Sequence, residues 1–132
     1  INPAEKDMLC RFREELVSIA LQQPRVFVHR DYHCRNLIVC EGQQLGVIDF
    51  QDAVCGPITY DLVSLLKDCY LRWPVEQVES LALNYAHRAV DVGLMPRVSD
   101  EQWLLWFDAM GLQRHVKVLG IFARLWLRYR RR

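Results

Sequence analysis

Asp31, Asn36 and Asp49 stand at the edges of apolar, β-branched runs, the first two in Val26-Phe27-Val28-His29-Arg30-Asp31-Tyr32-His33-Cys34-Arg35-Asn36 and the third in Val47-Ile48-Asp49-Phe50. Burying an unpaired carboxylate is costly or forces its pKa to shift, so groups in such places converge on something that requires them. A divalent cation and a phosphate meet that requirement. Phosphoryl transfer works by positioning and by charge neutralisation. One carboxylate orients or deprotonates the attacking hydroxyl, and hard oxygens hold Mg²⁺, which keeps waters and substrate phosphates among its ligands. Asp31 suits the first task, Asn36 and Asp49 the second.

Three short strands are expected to carry these groups. Residues 26–28 read as a buried strand, 37–40 as a second and 45–48 as a third, and the loop 41–44 closes a hairpin with Gly42 at φ > 0. Asp31 and Asn36 then share one loop, and Asp49 lies just past the third strand. Loops at strand ends on a rigid frame are where catalytic groups usually sit.

The spacing His29-x-Asp31-x-x-x-x-Asn36, followed one hairpin later by Ile48-Asp49-Phe50, resembles the catalytic and metal loops of protein-kinase-like enzymes. The run His29 to Asn36 is similar to the His-Gly-Asp-Leu-His-Pro-Gly-Asn loop of the aminoglycoside phosphotransferase and choline kinase-like superfamily. The segment Ile48-Asp49-Phe50-Gln51-Asp52-Ala53-x-x-Gly56-Pro57-x-x-x-Asp61-Leu62 resembles that family's passage from metal loop to following helix. Gln113-Arg114-His115-Val116-Lys117-Val118-Leu119-Gly120 is similar to bacterial kinases of the anomeric hydroxyl of N-acetylmuramate or N-acetylglucosamine. The resemblance implies an α+β, mainly α fold: the C-terminal lobe of the protein-kinase-like architecture, as a single domain over 1–132, with a short β-hairpin carrying both loops. It implies an ATP-dependent phosphotransferase with Asp31 as catalytic base and Asn36 and Asp49 as Mg²⁺ ligands. His29 would brace the loop, and Asp61 would accept hydrogen bonds from its backbone. His33, Arg35, Gln51, Arg114 and His115 are the substrate-contact candidates. Arg30 and Arg35 stand where the family often has glycine, and Cys34 where it often has proline.

The rest of the chain reads as scaffold. Asn2 caps a helix with Pro3 in the first turn and Glu5 reaching back, and Met8, Leu9, Phe12, Leu16 and Ile19 recur at helical spacing before Pro24. Gly56-Pro57 reads as a turn into a helix opening at Thr59 or Tyr60, whose buried face would be Leu62, Leu65, Leu66 and Cys69. After Trp73-Pro74, 75–92 is expected to be helical, with Val78, Ala82, Tyr85 and Ala89 on one face and Gly93 at its end. Ser99-Asp100-Glu101-Gln102 has the pattern of a capping box. One helix from there to Tyr129 would span about 45 Å, so a kink is expected near Gly111. Trp103, Trp106, Phe107, Trp126 and Tyr129 fit a core, with Trp103 or Trp106 as alternative walls of a sugar pocket. Arg128, Arg130, Arg131 and Arg132 read as a solvated tail.

Composition narrows the function classes. A formal charge of +1 provides no global basic field for nucleic acid, and no run is long or apolar enough to span a membrane. Five cysteines without paired spacing suit free thiols of a reducing cytosol, and no signal peptide is visible. No Gly-rich phosphate loop occurs, and Lys6, Lys67 and Lys117 fall on expected helices, so the nucleotide-binding lobe of the family is missing from this chain, which starts at Ile1. The expected partners are a nucleotide and a small hydroxyl acceptor, with amino sugars, aminoglycosides and choline-like alcohols all open. Two other classes compete: a kinase-lobe remnant serving as an interaction module, and a metal site built from His29, His33, Cys34 and Cys40. The isolated chain is expected to bind Mg²⁺-nucleotide weakly and turn over little.

Overall fold

The computed structural model describes residues 2–68 and 71–130. The elements run α1 (Pro3–Leu21), β1 (Arg25–Val28), β2 (Leu37–Val39), β3 (Leu45–Val47), β4 (Val54–Pro57), α2 (Tyr60–Leu66), α3 (Val75–Asp91) and α4 (Asp100–Tyr129), with 3-10 turns at Cys34–Asn36 and Glu41–Gln43. The chain is therefore α+β and mainly helical. Cys69, expected on the buried face of α2, and Arg131 and Arg132 of the basic tail lie outside the described residues.

Local chemistry sets most boundaries. Asn2 and Glu5 form a reciprocal capping box at α1. Gly93 takes φ 75° after α3, and the bonds Leu94 N–H to Ala89 C=O and Gly93 N–H to Val90 C=O make a Schellman ending. At α4 the Ser99 hydroxyl accepts from the Gln102 amide at 3.2 Å. Gly42, at φ 74°, turns the β2–β3 hairpin, whose register pairs Leu37 with Val47 and Val39 with Leu45.

Three expectations are corrected. Gly56-Pro57 does not turn the chain: it ends strand β4, which pairs antiparallel with β1, Arg25 opposite Pro57 and Val28 opposite Val54. A proline is tolerated there because the strand is an edge and it ends at that residue. β1 is not buried throughout either; Val28 is covered, but Phe27 is 71% exposed. Finally, α4 runs unbroken for 30 residues. Gly111 is not a hinge but a point of close approach, where an added Cβ would lie 2.9 Å from Lys67 Cδ. Lys67 thereby reaches Asp108 at 2.6 Å and sits 4.5 Å from the Phe107 ring centroid.

The core lies between α2, α3 and the first half of α4. Small residues on α3 receive large ones from α4: Ala86 and Ala89 pack with Trp103 and Trp106, and Val78 and Ala82 pack with Phe107 and Met110. Buried Gln23 ties three elements, its side-chain oxygen accepting from the Thr59 hydroxyl at 2.6 Å while its amide faces the Trp106 carbonyl at 3.5 Å. The apolar stripe of α1 is less covered than its spacing suggests: Leu16 is buried and Ile19 half-buried, but Met8, Leu9 and Phe12 are exposed. Trp126 and Tyr129 are likewise exposed, so the aromatic core of α4 ends with Phe107.

This division sets two substitutions apart. Phe107, 1% exposed, should cost about 3–5 kcal/mol on replacement by alanine. Leu127→Ala, at a position 63% exposed, should change stability by less than about 0.5 kcal/mol. Urea unfolding measures both, and equal losses would contradict the assigned core.

Candidate active site

β1 delivers the chain to His29, which is buried. Its ring is used on both sides: Nε2 lies 2.9 Å from the Ile48 carbonyl, and Nδ1 lies 3.3 Å from the Asp31 amide. A neutral ring protonated on Nε2 satisfies both, donating to Ile48 and accepting from Asp31. The imidazole thus clamps the loop after β1 to the chain leaving β3, and Tyr32 meets it edge-on at 5.9 Å.

Asp61, in the first turn of α2, holds the same loop from behind. Its Oδ2 accepts from the His29 amide at 2.6 Å and its Oδ1 from the Arg30 amide at 3.0 Å. The β1–β4 pairing carries the chain back to Arg25, opposite Pro57, and the turn from Ile58 into α2 then brings Asp61 to this point. Arg30 has φ 77°, a conformation that costs a non-glycine residue about 1–3 kcal/mol. The arginine therefore adopts the shape expected of glycine at that position, held by the Asp61 carboxylate and by its own guanidinium bond to the Asp52 carbonyl at 3.3 Å.

The Asn36 side chain joins the two loops. Its Nδ2 donates to the Asp31 carbonyl at 2.9 Å and lies 3.5 Å from Asp49 Oδ2. Backbone bonds fix its place, from Asn36 N–H to the His33 carbonyl at 2.9 Å and from Ile48 N–H to the Asn36 carbonyl at 3.1 Å. Asp49 is also left-handed, φ 67°, and its Oδ1 accepts from Gln51 Nε2 at 2.6 Å. Asp31 and Asp49 are exposed and Asn36 half-buried, so the cluster is open to solvent. With Nδ2 turned to Asp31 and Asp49, the amide oxygen of Asn36 remains as an acceptor beside a carboxylate. That pair of hard oxygens could hold Mg²⁺, an ion that takes few protein ligands. Among the described residues no group of three or more His, Cys, Asp and Glu side chains gathers at metal-binding distances. The engagement of both His29 nitrogens also removes one ligand from the zinc alternative.

His29, Asp31, Asn36, Asp49, Gln51 and Asp61 thus meet in one bonded array. His33 opens the 3-10 turn between Asp31 and Asn36, and Arg35 lies on that turn, exposed. Arg114 and His115 stand on α4, and His115 lines a cavity of about 560 Å³ with Lys67, Trp73, Phe107 and Asp108; that cavity is lined by no residue of the 29–36 loop. Trp103 belongs to the core, stacked on Tyr85 at 5.9 Å. Burial pushes the Tyr85 phenol up, and the charges of Asp61 and Tyr32 add to the shift. Tyr85 is thus part of the core beside Trp103.

Removing the Asp61 carboxylate should free two backbone donors, one of them buried. Asp61→Ala is expected to cost about 1–3 kcal/mol and to accelerate hydrogen exchange at the His29 and Arg30 amides; Asp61→Asn, which keeps one oxygen, should do less. Unchanged exchange at those two amides would refute the clamp.

The model of the phosphotransferase enzyme family (APH) matches residues 3–101. The chain is 48% identical over 115 residues to an N-acetylmuramate/N-acetylglucosamine kinase of Neisseria meningitidis, covering 87% of this chain and 34% of the relative. It is 47% identical over 124 residues to the protein of the same name in Pseudomonas aeruginosa, and 44% identical over 122 residues to that of Pseudomonas putida, with 92% of this chain and 36% of each relative covered. The chain thus spans about a third of the length of these curated relatives. A family match over most of the chain, on residues that include both loops and Asp61, means that the chain belongs to the phosphotransferase enzyme family.

Proposed function

We propose that this chain carries the phosphoryl-transfer site of an ATP-dependent, cytoplasmic sugar kinase whose acceptor is an amino sugar of the N-acetylmuramate or N-acetylglucosamine type. The observation that carries the reading is the Asn36 amide, which joins the backbone of Asp31 to the carboxylate of Asp49. The acceptor class is supported by three relatives named for those sugars.

In this reading Asp31 holds the acceptor hydroxyl and takes its proton as the oxygen attacks the terminal phosphorus. The new O–P bond forms as the bond to the diphosphate leaving group breaks. Asn36 and Asp49 would hold Mg²⁺, whose contribution is to offset phosphate charge. The exposure of Asp31 and Asp49 leaves room for a nucleotide and an acceptor to approach. Holding a hydroxyl and a phosphate in line accounts for much of the rate gain available to such a site. That demands a stiff loop, which the His29 and Asp61 contacts supply. Gln51 orients Asp49 through its 2.6 Å bond.

Two substitutions test the roles, made in the polypeptide at the full length of its relatives. Asp31→Asn should lower kcat by about 10²–10⁴ with nucleotide affinity unchanged; near-normal turnover would remove Asp31 from the mechanism. Asp49→Ala should raise the Mg²⁺ concentration needed for half-maximal rate at least about tenfold, the scale of one lost charged ligand. An unchanged Mg²⁺ dependence would exclude Asp49 as a ligand.

A further inference from the structure

Past the core, α4 keeps turning one stripe of side chains toward the start of α2. Trp106, Gln113 and Lys117 fall on that stripe, two helical turns and then one turn apart. The Trp106 indole nitrogen and the Gln113 side-chain oxygen are buried without a hydrogen-bond partner. Most buried polar atoms are satisfied, so each exception calls for a physical reason. Lys117 lies one turn beyond Gln113. Its ammonium is 3.2 Å from the Tyr60 hydroxyl and 6.0 Å from that ring's centroid. Tyr60 precedes Asp61, whose carboxylate holds the His29 and Arg30 amides next to Asp31. The distal part of α4 is thereby tied to the catalytic loop.

Lys117 has no carboxylate partner among the described residues. No aspartate or glutamate follows Asp108 in the sequence. Among the described residues the ion pairs join Lys67 to Asp108 and His87 to Asp100. The hydrogen-bond partner of Lys117 is the Tyr60 hydroxyl and not a carboxylate. A positioned cation with two donors left over is suited to a carboxylate. The two sugars in the relatives' names differ at one such group: N-acetylmuramate carries a lactyl carboxylate that N-acetylglucosamine lacks.

We propose that Lys117 is a specificity-determining residue that pairs with the carboxylate of an acidic amino-sugar acceptor, while the Gln113 side-chain oxygen accepts from a hydroxyl or amide that acidic and neutral acceptors share. The inference rests on the amino-sugar reading above and deepens it. Lys117 gives the site its preference for the acid, and Gln113 serves both sugars.

The test is direct binding to this chain, followed by amide chemical shifts during separate titrations with N-acetylmuramate and N-acetylglucosamine. The unsubstituted chain should bind the acid more tightly. Lys117→Met should weaken N-acetylmuramate about tenfold, the scale of one charge-assisted hydrogen bond, and leave N-acetylglucosamine within about twofold. Lys117→Arg should retain the preference. Because Lys117 is exposed, neither substitution disturbs the core, and unchanged amide dispersion checks this. Equal weakening of both sugars by Lys117→Met, or none of either, would overturn the role of Lys117 while leaving the acceptor class standing. Failure of the unsubstituted chain to bind either sugar would overturn the acceptor reading and this inference together.

Discussion

The site depends on one carboxylate accepting from two successive backbone amides. Asp61 holds His29 and Arg30 at 2.6 and 3.0 Å, and without it a left-handed arginine would have little reason to stay left-handed. The strain at Arg30 and at Asp49 lies on the two loops that must face each other. Strained backbone persists where surrounding contacts over-determine it. Here the over-determination is visible: a carboxylate behind the loop, an imidazole bonded on both ring nitrogens, and a side-chain amide bridging the front.

The rest of the fold serves to bring those contacts together. β1 and β4 form a two-stranded ladder whose Pro57 end lies beside Arg25, and the turn after it returns α2, and with it Asp61, to the loop after β1. The β2–β3 hairpin does the same for Asn36 and Asp49, placing residues thirteen apart in sequence within 3.5 Å. Gln23 locks the end of α1 to the start of α2. Alanines on α3 let Trp103 and Phe107 of α4 seat deeply, so the helices form a rigid back to a site that is itself exposed. The four described cysteines, Cys10, Cys34, Cys40 and Cys55, are free thiols.

Much of this was legible in the sequence where the determining chemistry is local. The Asn2 cap, the φ > 0 glycines at 42 and 93 and the breaks at Pro24 and Pro74 each follow from one or two neighbouring residues. The meeting of Asp31, Asn36 and Asp49 was legible through their spacing and not through any cost of burial, since Asp31 and Asp49 are exposed. What escaped was tertiary. Gly56-Pro57 reads as a turn until a partner strand exists for it to pair with. Gly111 reads as a weak point in a helix until Lys67 is seen to need the space. The stripe on α1 states which residues are apolar, not whether anything covers them. Tyr60 and Lys117 are fifty-seven residues apart, and no local pattern announces their contact.

The whole functional reading stands on Asn36 and Asp49 forming the metal-holding edge of a single site beside Asp31. Paramagnetic Mn²⁺, substituted for Mg²⁺ in the presence of a non-hydrolysable ATP analogue, probes that edge through the broadening of individual amide signals. Signals of residues 31–36 and 49–51 should broaden first and most, while those of α3 stay sharp. Broadening centred instead on Lys67 and Asp108, or spread evenly over the acidic surface, would mean that the ion is held elsewhere.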